Sequence, residues 1–156
     1  MTGFEPLVVR QDWNRATDRD WAEVLSTMPL FAGLGKRRLG KLARQARFAE
    51  FGPGETVVAT GAPADAFYVI LSGRAKAFGK PTARTLGTGD YFGEIGLLDG
   101  EARSASVIAT KELHVMKLPR QPFRELVEEN GGVALTMLTE LGSRVRGLER
   151  LQTQSA

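Results

Sequence analysis

The sequence predicts a mainly β fold of the α+β class, a barrel or jelly roll with helices before and after it. Between residues 48 and 119, short strand-like segments recur at regular spacing, and glycine-rich turns separate them. Apolar residues recur at helical spacing before residue 48 and after residue 120. The length of 156 residues fits one domain, and such a chain can bury roughly 70% of the surface that it exposes when unfolded.

The N-terminal part is predicted to be an arm followed by two helices. Residues 1–18 are polar, with isolated apolar side chains and no clear period, and we interpret them as an N-terminal arm. The domain itself is expected to cover residues 19–156. In its helical part, residues 19–47, apolar side chains recur at helical spacing in two segments, and Pro29 ends the first of them.

The central part, residues 48–119, has the pattern of a β-sheet. Its strongest strand signal is AFYVILS at 66–72, which Gly73 closes. Turns rich in glycine and proline separate the strand-like segments, as in other all-β domains. The further segments of strand length are 55–60, 74–78, 106–109 and 113–118.

Helical patterning returns at Gln121 and predicts two C-terminal helices over residues 121–151, which Asn130-Gly131-Gly132 separates. In the longer helix, apolar residues are spaced alternately four and three apart, as in a heptad seam: Ala134, Leu138, Leu141, Val145 and Leu148. Two interpretations of this seam stay open. The helix packs on its own barrel, or it forms a homodimer with the C-terminal helix of a second copy.

The composition excludes several classes of function. The chain has no cysteine and a single histidine, His114, so cysteine nucleophiles and metal sites built from two or three histidines are excluded. We therefore expect that the protein is not an enzyme and that it binds neither a metal nor a cofactor. The net charge of +3 is mild and the basic residues are scattered, which predicts solvated helix faces and no DNA-binding surface.

The cellular compartment is predicted from what the chain lacks. The absence of cysteine fits a reducing environment. No apolar run approaches the roughly 20 residues that a membrane span needs. The N-terminus also lacks the basic start and apolar core of a signal peptide. The sequence therefore predicts a cytoplasmic protein that does not bind a membrane.

Residues 91–107, YFGEIGLLDGEARSASV, carry the candidate site. Gly93 and Gly96 permit a tight turn or a close approach to the backbone. A short helix after this turn would direct free amide N–H groups at one point, which favours an anion such as phosphate. Arg103 offers a planar, permanently charged fork to the same phosphate, and Ser104 adds a hydroxyl and an amide.

Glu94 is an acid within an apolar run, where burial of a charge is costly. Its charge has the wrong sign to bind phosphate, so we interpret it as an acceptor for a sugar hydroxyl, with Arg103 nearby to keep it ionised. Phosphate donors and a hydroxyl acceptor together describe a nucleotide site. The alternative is a buried ion pair between Glu94 and Arg103 that only stabilises a loop.

The wider pattern resembles a known family. FGEIGLL at 92–98, followed by RSASV at 103–107, looks like the phosphate-binding cassette of cyclic nucleotide-binding domains. These occur in the bacterial catabolite activator, in regulatory subunits of cyclic-AMP-dependent protein kinase and in cyclic-nucleotide-gated channels. FGPGE at 51–55 and AFYVILSG at 66–73 resemble other landmarks of the family. The resemblance covers roughly residues 21–150 and implies an eight-stranded antiparallel β-roll with helices on both sides of it in the chain.

The resemblance also implies roles for individual residues. Glu94 would accept the 2′-hydroxyl of the ribose, and Arg103 would pair with the exocyclic oxygens of the cyclic phosphate. Gly93, Ser104 and Ala105 would contribute backbone amides. The expected ligand-binding residues are Phe92, Gly93, Glu94, Ile95, Gly96, Arg103, Ser104, Ala105 and Arg144.

Cyclic AMP (cAMP) is the expected ligand because it is the commoner one in the family, and cyclic GMP (cGMP) is the alternative. Binders of cGMP often carry threonine where this chain has Ser104. The base contact that some members make from the last helix would fall near Leu148 and Glu149, whereas Arg144 would cap the base or be solvated. The strand residues expected beside the base, or in the ordinary core, are Val57 and Leu86.

Only five residues follow Leu151, so we expect no helix-turn-helix of the kind that catabolite-activator relatives carry, unless this sequence is a piece of a longer chain. The expected function is therefore a regulatory sensor that binds a cyclic nucleotide and acts through an unidentified protein effector or a change of oligomer. Binding would let the last helix fold over the base by a hinged shift around residues 130–132. The alternative is a docking domain of the same fold that no longer binds a ligand.

Overall fold

The computed structural model describes residues 18–79 and 83–155. Its helices are α1 (Asp18–Ser26), α2 (Lys36–Gln45), α3 (Glu94–Asp99), α4 (Arg120–Glu129) and α5 (Gly131–Ser155), with a 3-10 turn at Pro29–Phe31. Its strands are β1 (Arg47–Phe51), β2 (Thr56–Val58), β3 (Ala66–Ser72), β4 (Ala75–Phe78), β5 (Ala83–Leu86), β6 (Tyr91–Phe92), β7 (Ser106–Ala109) and β8 (Leu113–Pro119). Of the predicted N-terminal arm, residues 1–17 lie outside the described part. Each helix within that part is too short or too polar to span a lipid bilayer.

The described strands pair as two four-stranded antiparallel sheets. One sheet has the strand order β1-β8-β3-β6, and the other has the order β2-β7-β4-β5. The sheets enclose a core to which Ile70 and Val115 contribute from the first sheet, and Leu86 and Val107 from the second. The predicted fold, an antiparallel eight-stranded β-roll with flanking helices, is confirmed, with the strands paired as two sheets and not as one continuous barrel.

Strand β3 is buried on both faces, which explains its unbroken apolar sequence. Successive side chains of a strand point to opposite faces. Tyr68 and Ile70 contribute to the core between the sheets, whereas Phe67, Val69 and Leu71 belong to a second core under the helices. All residues of β3 are buried. A strand with this environment has no solvent face that would require polar residues.

The second core lies between the helices and the outer face of the β1-β8-β3-β6 sheet. The ring of Phe67 contacts that of Phe123 on α4, with centroids 4.8 Å apart. Val133 and Met137, near the beginning of α5, are buried in the same core. Full burial of such a side chain stabilises the fold by about 1.5–3 kcal/mol. The beginning of α5 is therefore anchored by packing.

Helices α4 and α5 are separated by one residue, Asn130, which has an extended backbone (φ −131°, ψ 93°). Its side-chain amide donates to the carbonyl of Leu126 at 2.9 Å, and Arg38 of α2 donates to its Oδ1 at 2.5 Å. The sequence predicted a break over residues 130–132, but the two glycines already lie in α5. The break is confined to Asn130 because its side chain satisfies a carbonyl in the last turn of α4.

Gly73 ends β3 in a conformation that residues with a side chain rarely adopt. Its φ is +97°. A Cβ at this position would overlap the backbone carbonyl oxygen of Glu112 and would lie 2.9 Å from the Cα of Leu113. This close approach follows from the pairing of β3 with β8, whose register shifts between Ile70 and Ser72.

Candidate functional site

A pocket lies where the turn between β6 and α3, the beginning of β7, strands β4 and β5, and helix α5 meet. Its lining residues are Val58, Ala77, Arg84, Phe92, Gly93, Glu94, Ile95, Gly96, Arg103, Ser104, Ala105, Val107 and Arg144. All nine residues selected from the sequence are among them. The structure therefore brings the two parts of the cassette together with the more distant Arg144, while the roles of these residues in binding stay predictions.

Two glycines let the turn into α3 come close to neighbouring segments. Gly93 has a φ of +89°, and a Cβ there would lie 2.6 Å from Nη1 of Arg103 and 3.1 Å from the carbonyl oxygen of Ala66. A Cβ on Gly96 would lie 2.5 Å from the Cβ of Ala64. These contacts agree with the interpretation of both glycines as positions of close approach.

Arg103 is 5% exposed and is held against backbone carbonyls. Its Nη1 donates to the carbonyl of Gly93 at 3.0 Å, and its Nη2 donates to the carbonyl of Ala66 at 2.7 Å and pairs with Oδ1 of Asp65 at 3.4 Å. The guanidinium also lies 5.7 Å from the centre of the Tyr68 ring. Three of its five N–H donors are thus engaged, and two have no partner among the described residues.

Glu94 is the first residue of α3 and is 2% exposed. Burial raises the pKa of its carboxyl group, and this outweighs the opposing effects of a backbone hydrogen bond and of the charge of Arg144. Its Oε1 accepts a hydrogen bond from Nη1 of Arg144 at 3.1 Å. The alternative ion pair between Glu94 and Arg103 is wrong for the described residues, because Glu94 pairs with Arg144 and Arg103 pairs with Asp65.

Replacement of Glu94 by glutamine should raise the free energy of unfolding at neutral pH. The folded-state pKa of Glu94 lies above its ordinary value of 4.5, so the folded state holds this proton more tightly than the unfolded state. The contribution of Glu94 to the free energy of unfolding is therefore complete below pH 4.5, and it is lost as the pH rises through the folded-state pKa. Glutamine has no carboxyl group to ionise, so the variant avoids this loss of stability. Its higher free energy of unfolding relative to wild type should therefore disappear as the pH is lowered. Thermal unfolding across that pH range measures both effects.

The matched control for this experiment is Glu101→Gln, because Glu101 is an exposed acid close in sequence to the same segment. This variant should follow the wild-type dependence of stability on pH. A Glu94→Gln protein that is less stable than wild type at every pH would show that the ion pair with Arg144 outweighs the cost of burying the carboxylate.

Arg84 on β5 is the charged lining residue that the sequence interpretation missed. Its Nη1 lies 3.7 Å from Oε1 of Glu140 on α5. The signal was available in the alternation of β5, since Leu86 is buried and a residue two positions earlier in a strand points to the same face. A charged residue at such an inward position indicates either a partner or a ligand.

Among the described residues, two ion pairs connect α5 to the β-roll, one through an acid of the helix and the other through a base of the helix. Glu140 pairs with Arg84, and Arg144, which is four residues later on the same helix face, pairs with Glu94. The cavity between α5 and the roll has a volume of about 50 Å³. Ligand pockets are usually roughly 300–1,000 Å³ in volume. Helix α5 therefore covers the pocket, and a nucleotide would require Arg144 or the helix to move.

Four residues expected near the base do not line the pocket. Val57 packs against the core between the sheets, and Leu86 is part of that core. The neighbouring Val58 packs against the same core and also lines the pocket. Leu148 and Glu149 are exposed near the end of α5.

Comparison with known proteins identifies the family. A family model described as a cyclic nucleotide-binding domain matches residues 48–130, more than half of the chain. The chain belongs to the cyclic nucleotide-binding domain family. The resemblance of the cassette is thereby confirmed. The matched region of this cyclic nucleotide-binding domain includes Arg84, Glu94 and Arg103, and it ends before α5.

Several relatives of this cyclic nucleotide-binding domain are regulatory proteins. The cAMP-dependent protein kinase regulatory subunit of Aspergillus fumigatus is 36% identical over 112 residues, which are 70% of this chain and 27% of that protein. The regulatory domain of Toxoplasma gondii protein kinase A, solved with cAMP, has a TM-score of 0.70 at 29% identity over 81% of this chain and 50% of that one. The regulatory subunit of a cAMP-independent protein kinase A from Trypanosoma brucei has a TM-score of 0.73 at 25% identity over 88% of this chain and 49% of that one. The chain thus spans about a quarter to a half of the length of these relatives.

Proposed function

We propose that this domain binds a 3′,5′-cyclic nucleotide in the pocket beneath α5 and acts as a regulatory sensor without catalysing a reaction. The observation that carries the proposal is the burial of Glu94 and Arg103, an acid and a base, on the lining of one small pocket. Charged side chains are rarely buried unless a partner or a function compensates for the lost solvation. Their positions within a matched cyclic nucleotide-binding domain support the ligand class.

The proposed contacts follow the chemistry of the two charges. Arg103 retains two N–H donors for the cyclic phosphate, and the carbonyls of Gly93 and Ala66 hold its guanidinium in place. The backbone amides of Gly93, Ser104 and Ala105 would add donors for the same phosphate. Glu94 would accept the ribose 2′-hydroxyl, a role in which its negative charge is an advantage.

The names of relatives support cAMP as the first ligand to be tested. The Aspergillus fumigatus protein is described as cAMP-dependent, and the Toxoplasma gondii structure contains cAMP. The alternative ligand is cGMP, which shares the cyclic phosphate and the ribose. Both ligands therefore satisfy the proposed roles of Arg103 and Glu94, and they differ only at the base.

Calorimetric titration of the purified protein with each nucleotide tests the proposal. We expect saturable binding of one nucleotide per chain. The proposed function is overturned if neither nucleotide binds to folded wild type and neither binds to a folded variant that lacks the Arg144 side chain.

A docking domain of the same fold without a ligand is the second candidate. Arg144 occupies the carboxylate of Glu94 and the remaining cavity is small, which favours this candidate. The Trypanosoma brucei relative is described as cAMP-independent. Calorimetric titration of Arg144→Ala with each nucleotide separates the two candidates. If the pocket is covered but competent, this variant should bind the nucleotide more tightly than wild type does. A docking domain should bind no nucleotide in either form.

The signal would be transmitted by α5, since a nucleotide that reaches Glu94 has to displace Arg144 of this helix. Asn130 is the proposed hinge, because it is the single non-helical residue between α4 and α5. A ligand can shift such an equilibrium only by the difference in its affinity for the two helix positions.

A second copy of the chain is a proposed partner of α5. Leu138, Val145 and Leu148 lie on the heptad seam and are 43–64% exposed. Parallel or antiparallel pairing of two such seams would bury them. Replacement of Leu138 and Val145 by glutamate should then convert a dimer into a monomer, as measured by light scattering after size-exclusion chromatography.

Thr139→Glu is the matched control for this experiment, since Thr139 is exposed on the same helix but lies off the seam. It should leave the dimer intact. An equal monomeric mass for wild type and both variants at tens of micromolar protein would contradict the homodimer.

A further inference from the structure

Two acids and the only histidine of the chain meet where β1 ends and β8 begins. Glu50 on β1 pairs in register with His114 on β8. Glu112 lies two residues before His114, and side chains at this spacing along an extended strand point to the same face. Each of the three side chains offers one ligand atom, and these atoms lie within 4.8 Å of one another. Strand pairing therefore assembles a Glu-Glu-His cluster from Glu50, Glu112 and His114.

The charges of the Glu-Glu-His cluster favour a divalent cation. Among the described residues, neither Glu50 nor Glu112 forms an ion pair with a lysine or an arginine. Both acids are exposed, so an ion can reach them from solvent. Two carboxylates and a neutral imidazole carry two negative charges, which one divalent cation balances. Exposed acids alone do not form a defined site, so the position of His114 is decisive.

A hydrogen bond with Ser72 orients the ring of His114. Ser72 on β3 pairs in register with His114, and its Oγ lies 3.0 Å from Nδ1 of the ring. With the proton on Nδ1, the ring donates to this buried hydroxyl and keeps the lone pair of Nε2 for the side of Glu50. Metal-binding histidines usually have their second ring nitrogen held by such a hydrogen bond. The side chain of His114 is 12% exposed, so packing also restricts its rotation.

The distances within the cluster suit a small metal ion. Nε2 of His114 lies 3.6 Å from Oε1 of Glu50. Two ligand atoms of a tetrahedral zinc ion are separated by roughly 3.4 Å, because each bond to the metal is about 2.0–2.2 Å long. The exposed side chain of Glu112 can rotate to close the remaining gap, since its ligand atom is already within 4.8 Å of the others. Binding of an ion therefore requires rotation of one exposed side chain and no rearrangement of the strands.

We propose that Glu50, Glu112 and His114 bind a divalent transition metal ion, represented by Zn²⁺, and that the ion cross-links β1 to β8. Imidazole and carboxylate together suit Zn²⁺, whereas Mg²⁺ and Ca²⁺ bind through oxygen ligands. Three protein ligands leave one position for water or for a donor of another molecule. The expectation that the protein binds no metal rested on sites with two or three histidines, but this set requires only one. None of the three ligands lines the pocket beneath α5, so the metal site is independent of the proposed function.

Calorimetric titration with Zn²⁺ tests the inference, on protein that carries no histidine tag and has been treated with a chelator. We expect saturable binding of one Zn²⁺ per chain. An ion that binds only the folded state stabilises it, so Zn²⁺ at about 100 times its Kd should raise Tm by about 5 °C or more. Mg²⁺ at the same concentration should produce neither effect. Absence of saturable Zn²⁺ binding to folded wild type would overturn the inference.

Variants of the ligands and of the residue that orients the ring locate the bound ion. His114→Ala and Glu112→Gln should each weaken Zn²⁺ binding by at least about 10-fold, and Ser72→Ala should do so by about 10-fold. Ser72→Thr keeps the hydroxyl, so it should restore most of the affinity. Glu101→Gln, at an exposed acid outside the cluster, should bind Zn²⁺ as wild type does.

The exposed position of Glu112 makes Glu112→Gln the variant that should fold as wild type does. Unchanged Zn²⁺ affinity in this variant or in folded His114→Ala would overturn the site, because the ion would then be bound elsewhere. Equal affinity of wild type for Mg²⁺ and Zn²⁺ would overturn the role of the imidazole. Glu112→Gln should keep the nucleotide affinity of wild type, so failure of this inference and failure of the proposed function are distinguishable.

Discussion

Replacement of Arg103 by alanine should abolish cyclic nucleotide binding, with an affinity loss of about 100-fold or more. Truncation of one partner of a buried, hydrogen-bonded charge pair costs about 2–5 kcal/mol. The guanidinium is buried and fixed by the carbonyls of Gly93 and Ala66, so solvent cannot replace its donors at the phosphate. Calorimetric titration with cAMP and cGMP measures the loss, which should be similar for both because the phosphate is common to them.

The fold should survive this replacement. The backbone N–H of Arg103 donates to the carbonyl of Ala62 at 2.8 Å, and its carbonyl accepts from the N–H of Gly61 at 2.9 Å, so the segment stays paired in the variant. Arg124→Ala is a matched control, since Arg124 is an exposed arginine whose ion pair with Glu128 lies on α4. Binding by a folded Arg103→Ala protein at wild-type affinity would contradict the assigned role of the cassette.

Replacement of Gly73 by alanine should lower the free energy of unfolding by about 3 kcal/mol or more. A positive φ costs a residue with a Cβ about 1–2 kcal/mol, and overpacking adds about 1–3 kcal/mol. Here the Cβ would overlap the backbone carbonyl of Glu112, which cannot move without disturbing the pairing of β3 with β8. For a chain of this size each 1 kcal/mol lowers Tm by roughly 2–4 °C, which thermal unfolding measures.

Gly100→Ala separates the two contributions to this loss. Gly100 also has a positive φ, +76°, but a Cβ there would meet no atom within 4 Å. This variant should therefore lose only the conformational part, about 1–2 kcal/mol. Equal losses for the two variants would show that the backbone near Glu112 relaxes and that steric overlap contributes little.

The features that could be predicted from the sequence are those encoded within a few residues. The strand at 66–72 was identifiable because burial on both faces leaves an uninterrupted apolar run. The cassette was identifiable because Glu94 and Arg103 are only nine positions apart and Gly93 marks the turn beside them. Local sequence therefore predicted the elements and the central part of the candidate site.

Features that depend on pairing between distant segments were missed or left open. Arg84 reaches the pocket through the register of β5 with β4. The alternation within β5 predicts that Arg84 shares a face with Leu86, but it does not predict which strand lies beside it. Arg103 was expected near Glu94, either to keep it ionised or as its ion-pair partner, but the partner is Arg144, which is fifty positions away along the chain. Val57 was expected either beside the base or in the ordinary core, and it packs against the core, whereas its neighbour Val58 lines the pocket. In these cases the sequence allows several sets of neighbours for a side chain, and only the tertiary structure shows which set is formed.

The ion pair between Arg144 and Glu94 makes α5 an intramolecular competitor of any ligand that uses the same carboxylate. Because the helix is tethered to the pocket, its local concentration does not fall on dilution. The measured Kd is then the intrinsic Kd divided by the fraction of molecules in which the helix is displaced. Variants of α5 that weaken this competition should shift the affinity for every cyclic nucleotide by the same factor, so the sensitivity of the domain and its choice of base can be changed independently.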